Sequence, residues 1–243
     1  MLVAAAVCPC PPLLVPEVAT GAAQELDAAR AACADAVGLL AAARPDRLYV
    51  VGAVPEGGHG VYPAGSAGSF AGFGVDVSVR LGERPTGGGA AAADGHRPLP
   101  ASLTVGAWLL DRARWAAAPI EGLAVEETAT PDVCAGLGRG LADSAGRVAL
   151  LVMGDGSACR TVKAPGYLDE RAEGFDAAAG RALGTADVAA LLAMDTELAY
   201  ELKAAGRAPW QVLAGAAEGA GLDGRLLFEA APYGVGYFVA AWS

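Results

Sequence analysis

The sequence predicts one α/β domain, spanning residues 1–243, in which helices flank a central mixed, mostly parallel sheet. Residues 2–7 form a short apolar run, residues 17–43 carry apolar side chains every three or four positions, and residues 47–53 (RLYVVGA) are rich in β-branched side chains. This succession of strand, helix and strand within about fifty residues is typical of a βαβ unit.

The rest of the chain continues to alternate between the two patterns. Residues 103–116 predict a helix, residues 122–128 a strand and residues 131–143 a helix that a proline opens. Residues 147–155 (RVALLVMGD) are the clearest buried strand in the sequence. Four more helices are expected at residues 168–183, 186–194, 196–205 and 210–219. Two closing strands are expected at residues 225–229 and 235–242. No linker is polar enough to divide the chain.

The middle of the chain is less regular. Residues 55–72 and 84–100 are rich in glycine and alanine and predict exposed loops. Between them, residues 75–81 (VDVSVRL) alternate apolar and polar side chains, which predicts a strand.

Composition excludes several functional classes. The chain has 243 residues, 54% of them hydrophobic, and a net charge of −10, which argues against binding to nucleic acid or to anionic membrane surfaces. No apolar run is long enough to span a membrane, and the first seven residues predict a strand rather than a signal peptide. Five cysteines without a regular framework indicate a reducing, cytoplasmic setting.

The common catalytic motifs are not matched. The glycines at 136–140 (GLGRG) lie inside a helical pattern, and GDGSA at 154–158 does not fit a nucleophile elbow. His59 and His96, the two histidines, both fall in the glycine-rich loops and are expected to be solvated there.

Three of the five cysteines are expected to be core residues. Cys33 and Cys134 lie on apolar helix faces, and Cys8 ends the first strand. Cys10 and Cys159 remain as functional candidates.

Loops that follow three predicted strands indicate a binding crevice. In an open α/β sheet, ligands bind beyond the carboxyl ends of the strands. Cys10 follows the first strand, residues 55–62 follow the second, and Asp155 and Ser157 follow the strand at 147–155. The residues at these strand ends predict a shared cleft, but they do not predict which reaction, if any, takes place there.

Five segments carry a resemblance to a known family. They are PCPPLLVPEV (9–18), GDGSACR (154–160), GYLDERAEGFDAAAGRAL (166–183), APWQVLAGA (208–216) and FEAAPYGVGYFVA (228–240). In this order and spacing the chain resembles the class III extradiol ring-cleavage dioxygenases of the catalytic B-subunit type, with their Memo-like relatives. The resemblance runs from the first strand to the last and is weakest over residues 55–99.

The resemblance implies a non-haem Fe(II) bound by two histidines and a glutamate, with a further histidine as acid–base catalyst. Cys10 stands where the first metal histidine belongs, His59 is a shifted match for the second, and Glu229 matches the carboxylate. Ala158 stands at the acid–base position, with Cys159 one residue further. The implied metal set is therefore Cys10, His59 and Glu229, and the catalytic candidates are His59, Asp155, Ser157 and Cys159. A thiolate ligand would favour Zn²⁺ over Fe(II).

The replaced histidines predict that Fe(II)-dependent catechol cleavage is lost. The first hypothesis is a ligand-binding or scaffold protein that uses the crevice, for example for a small aromatic ligand. The second is an enzyme in which Cys10 acts as metal ligand or nucleophile with His59 and Glu229, a metal-dependent oxidoreductase of altered chemistry. The third is a non-catalytic subunit of an oxidoreductase complex. Association with a second copy or with a partner subunit is compatible with each.

Overall fold

The computed structural model describes residues 1–83 and 97–243 and confirms the predicted α/β fold. It contains a seven-stranded sheet in the order β3-β6-β2-β7-β1-β9-β8 and a separate two-stranded sheet of β4 and β5. The strands are β1 (Leu2–Cys8), β2 (Arg47–Val54), β3 (Gly60–Tyr62), β4 (Ala67–Ser69), β5 (Ser78–Arg80), β6 (Ile120–Glu126), β7 (Val148–Met153), β8 (Gly224–Ala230) and β9 (Tyr237–Trp242).

The large sheet is mixed and mostly parallel in its middle, as predicted. Strands β6, β2, β7 and β1 run parallel to one another, while β3, β9 and β8 pair antiparallel at the two sides. The carboxyl ends of four strands therefore meet at one edge of the sheet, which is where the sequence predicted a crevice.

Helices cover both faces of this sheet. They are α1 (Pro16–Ala19), α2 (Asp27–Ala42), α3 (Ala101–Arg112), α4 (Pro131–Asp143), α5 (Arg171–Gly184), α6 (Val188–Leu192), α7 (Thr196–Glu201) and α8 (Arg207–Ala217). One core layer packs α2 and α3 against the sheet and includes Cys8 and Cys33. The opposite layer packs α5 and α8 and includes Cys134 on α4. All three cysteines are buried, as predicted.

The structure differs from the prediction in the first helix and in the middle of the chain. Residues 55–72, which we expected to form an exposed loop, contain β3 of the main sheet and β4, and Tyr62 and Phe70 among them are buried. The single helix expected at 17–43 is α1, a 3₁₀ segment at Thr20–Leu26, and α2. Thr20 has a φ of 47°, a backbone conformation that a right-handed helix cannot continue. The strand expected at 75–81 shortens to β5, which pairs only with β4 and lies outside the main sheet.

None of the helices in the described ranges is long and apolar enough to cross a membrane. His96, which we expected to be a solvated loop histidine, lies outside the described residues.

Candidate functional site

Three polar side chains line up across the carboxyl edge of the sheet. In the parallel β1–β7 pair Cys8 lies opposite Met153, so Cys10 and Asp155 follow at the same level. In the antiparallel β1–β9 pair Val7 lies opposite Ala240, and the same register carried three residues further places Tyr237 beside Cys10. We call Asp155, Cys10 and Tyr237 the edge row.

Direct contacts join the first two members of the edge row. The Cys10 backbone N–H donates to Asp155 Oδ1 over 2.8 Å, and Cys10 Sγ lies 3.9 Å from Oδ2. Of the three strand-end loops that the sequence predicted to converge, those after β1 and β7 meet here, whereas His59 in the third loop, residues 55–62, contacts Glu126. Asp155 is also fixed through its backbone, because its carbonyl accepts from the N–H of Gly206 at the start of α8.

The Asp155 carboxyl has an unusual protonation equilibrium. Burial raises its pKa to about 7, and the hydrogen bonds from Cys10 offset this only in part. No lysine, arginine or histidine among the described residues forms an ion pair with it. A carboxyl that titrates near neutrality beside a cleft is typical of ligand-binding and catalytic sites.

Cys10 and Tyr237 are uncharged at neutral pH. Burial, together with the neighbouring Asp155 and Glu127 carboxylates, raises the pKa of the Cys10 thiol well above its usual range. Burial and the same Asp155 carboxylate also raise the pKa of the Tyr237 hydroxyl. Since a thiol rather than a thiolate stands at position 10, the structure does not favour Cys10 as a nucleophile.

The raised Asp155 pKa predicts a specific dependence of stability on pH. Between about pH 4 and pH 7 the folded chain holds a proton that the unfolded chain releases, so the free energy of unfolding falls as pH rises, by at most about 1.4 kcal/mol per pH unit. Asp155→Asn keeps an acceptor for the Cys10 N–H and should remove this decline. In urea denaturation at pH 8 we expect the variant to be more stable than the parent by at least about 1.4 kcal/mol. Parallel pH profiles for the two proteins would contradict the assignment.

The raised Cys10 pKa predicts slow alkylation. At pH 8 we expect iodoacetamide to modify Cys10 at least about tenfold more slowly than a cysteine in a short peptide, whose pKa is about 8.5. Peptide mapping by mass spectrometry gives the rate, and the fully buried Cys8 serves as the internal unreactive control. Alkylation of Cys10 at the rate of the free peptide would show that a thiolate is present.

Asp176 on α5, which sequence reasoning missed, holds the loop that carries Asp155. Its side chain is fully buried, accepts from the Ser157 backbone N–H over 2.7 Å and from Arg160 Nη1 over 3.1 Å. Gly236, before β9, donates its N–H to the Ser157 carbonyl, and a Cβ there would collide with the Asp176 carboxylate. In the sequence, Asp176 is an aspartate among the apolar positions of the buried face of α5, and this is the one feature that could have identified it as a structural residue.

The structure gives Ser157 and Cys159 internal contacts instead of the predicted place in the crevice. Ser157 is fully buried, and its Oγ accepts from the Cys159 N–H over 3.0 Å. The Cys159 thiol donates to the Leu202 carbonyl over 3.5 Å and packs in a small apolar cluster with Phe175. Both side chains therefore make their contacts within the protein, next to the loop that carries Asp155.

His59 lies in the loop before β3 and pairs with Glu126, the last residue of β6. Its Nδ1 is 2.6 Å from Glu126 Oε1, which also accepts the Gly57 N–H over 3.1 Å. These hydrogen bonds lower the pKa of the Glu126 carboxyl. Arg97 donates to the His59 carbonyl over 2.7 Å and thereby fixes the other side of this loop. Glu126 has no sequence signal as a partner of His59, since only the pairing of β3 with β6 brings the two residues together.

Glu229 is placed on the opposite side of the sheet from Cys10. It lies on β8 opposite Phe238, is exposed, and faces α5, where a Cβ built on Gly180 would lie 3.3 Å from its Oε2. Cys10 packs with the other core layer, which contains α2.

The metal set implied by the resemblance does not fit this arrangement. Within residues 1–83 and 97–243, no group of three or more His, Cys, Asp or Glu side chains is placed to hold a metal ion. Cys10 pairs with Asp155, His59 pairs with Glu126, and Glu229 faces α5. The positions carried over from the family are thus at three separate places in the described structure.

A cleft of about 500 Å³ lies near the edge row, although no edge-row residue lines it; Glu127 in its wall is close enough to Cys10 to help raise the pKa of that thiol. Glu127, the residue after β6, forms one wall and residues of the α7 region form the other; they are Ala199, Tyr200, Glu201, Lys203 and Ala204. The adjoining Gly206 contacts the Asp155 carbonyl, so the cleft and the edge row share the segment that leads into α8.

Comparison with known proteins supports the fold. No family model matches the chain, and no curated protein matches its sequence. The chain is similar to the crystal structure of the uncharacterized protein JW3007 from Escherichia coli K12, with a TM-score of 0.55 and 14% sequence identity. The match covers 99% of each chain, so the likeness extends over the whole fold.

Proposed function

We propose that this protein binds a small molecule in the crevice at the carboxyl edge of its sheet and does not perform the Fe(II)-dependent ring cleavage that its sequence resemblance implies. One observation carries the proposal: at the position that resembles the first metal histidine, a protonated Cys10 thiol lies against the Asp155 carboxyl. His59 pairs with Glu126 and Glu229 lies against α5, which supports a site that Cys10 does not share with either of them.

Several features support binding as the role of the crevice. Asp155 retains free acceptor capacity, because among the described residues its side chain accepts only from the Cys10 N–H and, more distantly, from the Cys10 thiol. Tyr237 and Cys10 supply uncharged donors beside it, and a cleft whose wall includes Glu127 lies nearby. Convergent polar groups that include a carboxyl with a perturbed pKa are typical of a small-molecule site.

A second candidate function is acid–base catalysis by Asp155. The observation that favours it is the carboxyl pKa of about 7, which would let the group both accept and donate a proton near neutral pH. This candidate keeps Asp155 in the catalytic role predicted from sequence and leaves Cys10 as its hydrogen-bond partner.

Oxygen uptake tests the proposal. The full chain is equilibrated anaerobically with Fe(II) and then given oxygen with catechol and substituted catechols. We expect oxygen consumption no faster than that of Fe(II) in buffer, and the same rate for Glu229→Ala. Ring-cleavage products that appear with the parent chain and disappear with Glu229→Ala would overturn the proposal.

A further inference from the structure

The cleft near the edge row carries opposite charges on its two walls. Glu127, which follows β6, lines one wall, and Lys203, which lies just after α7, lines the other. Within the described part of the chain no ion pair joins the two, so the carboxylate and the ammonium group stand apart in a volume of about 500 Å³. Such a cleft fits a ligand that brings the opposite charge to each wall.

The backbone of Glu127 is fixed while its carboxylate keeps free acceptors. Its N–H donates to the Val54 carbonyl at the end of β2 over 3.0 Å, and its carbonyl accepts from Arg207 Nη2. Arg207 Nη1 donates to the Ala129 carbonyl and to the Gln211 amide oxygen. Arg207 is buried and does not line the cleft, so the hydrogen bonds of the nearest cation leave the Glu127 carboxylate to a donor in the cleft.

Lys203 is the available cation of the opposite wall. Its backbone N–H donates to the Tyr200 carbonyl over 3.0 Å, and its Cδ would lie 3.3 Å from a Cβ built on Gly166, so the stem of the side chain lies against that loop. Glu201, the carboxylate of the same wall, accepts from Arg171 Nη1 over 2.7 Å. Because Glu201 pairs with Arg171, no carboxylate among the described residues forms an ion pair with Lys203.

Hydrogen bonds fix the Lys203 wall to the loop that carries Asp155. The Leu202 carbonyl accepts from the Ala158 N–H over 2.9 Å, and the Gly206 N–H donates to the Asp155 carbonyl over 2.7 Å. The segment between Leu202 and Gly206 is thus attached at both of its ends. A site whose walls are already held in place pays less conformational entropy when a ligand binds.

We propose that Glu127 and Lys203 bind the two ends of a small linear zwitterion, an ω-amino acid, with its ammonium group at Glu127 and its carboxylate at Lys203. This inference rests on the proposed ligand-binding function and specifies the charges of the ligand at the same edge of the sheet. Because the two protein charges stand on different walls, the ligand carries its own charges at opposite ends. The small apolar side chains of Ala199 and Ala204, which also line the cleft, leave room for the methylene groups between them. A ligand with one charge would gain one wall and be repelled by the other.

Three probes of equal chain length test whether both charges are needed. Calorimetric titration of the full chain at pH 7 and low ionic strength compares 6-aminohexanoate, hexanoate and hexylamine. We expect 6-aminohexanoate to bind at least about fivefold more tightly than either singly charged probe, since each partly exposed ion pair contributes up to about this factor. Equal binding of the three probes, tightest binding of hexanoate or of hexylamine, or no binding of any probe would overturn the inference.

Two neutralising variants should divide the preference in opposite ways. Glu127→Gln should remove the advantage of 6-aminohexanoate over hexanoate and keep its advantage over hexylamine, whereas Lys203→Met should do the reverse. Glu197→Gln on α7 and Lys163→Met, at the other lysine of the chain, remove exposed charges that do not line the cleft and should change neither advantage. The same loss in both neutralising variants, or in the controls, would contradict the assignment of one ligand end to each wall.

The oxygen-uptake assay judges the proposed function separately, because it contains no zwitterion. Ring cleavage in that assay overturns the proposed function, whereas equal binding of the three probes without ring cleavage overturns this inference alone.

Discussion

Replacing Asp176 by alanine should lower the free energy of unfolding by about 3–5 kcal/mol, the largest loss we expect from a single side chain in this protein. The change removes a fully buried carboxylate that accepts from Ser157 and Arg160. It leaves the buried Ser157 N–H without a partner and leaves the Arg160 guanidinium with only the distant, exposed Glu173, and both losses destabilise the folded state. Urea denaturation at pH 7 measures the effect.

Glu173→Ala is the matched control. Glu173 also faces Arg160, but over 3.9 Å and with 84% of its side chain exposed, so its removal should cost at most about 1 kcal/mol. Equal losses in the two variants would show that the buried carboxylate does not hold the Asp155 loop against the segment before β9.

Gly138→Ala should destabilise the chain by about 3 kcal/mol, because α4 and α8 approach each other through their backbones at this point. An added Cβ would overlap the Val212 carbonyl oxygen and lie 2.6 Å from the Ala216 nitrogen, and neither backbone atom can rotate away. Since α8 begins beside the Asp155 carbonyl, we also expect the variant to bind ligands in the crevice more weakly.

Gly140→Ala, two residues further along α4, provides the comparison. A Cβ there meets no atom within 4 Å, and alanine favours a helix over glycine by up to about 1 kcal/mol, so this variant should be neutral or stabilising. The same thermal or urea midpoint for both variants would contradict the close approach of α4 and α8.

The fold was predictable because short local sequence patterns specify its central strands. The β-branched run at β2 and the apolar run at β7 specify buried strands, and the prolines and glycines around them mark the turns. The break at Thr20 was not predictable, since the apolar spacing of residues 17–43 continues through it while its positive φ depends on tertiary packing.

The candidate site was predictable in part. That Cys10 and Asp155 meet follows from the rule that parallel strands bring their carboxyl ends to one edge. Tyr237 enters the edge row through the antiparallel register of β9, and Asp176 and Glu126 reach their partners through long-range packing. These contacts join residues far apart in the chain, and among the three residues only Asp176, an aspartate among the apolar positions of α5, gave a local signal.

Metal content tests the central claim that the crevice is a ligand site rather than a rebuilt metal centre. The full chain, Cys10→Ala and Glu229→Ala are purified in parallel, equilibrated anaerobically with Fe(II) or Zn²⁺, freed of excess metal and analysed by mass spectrometry of the elements. We predict far less than one metal ion per chain and the same value in all three proteins. Near-stoichiometric metal in the parent chain that is lost in both variants would contradict the account.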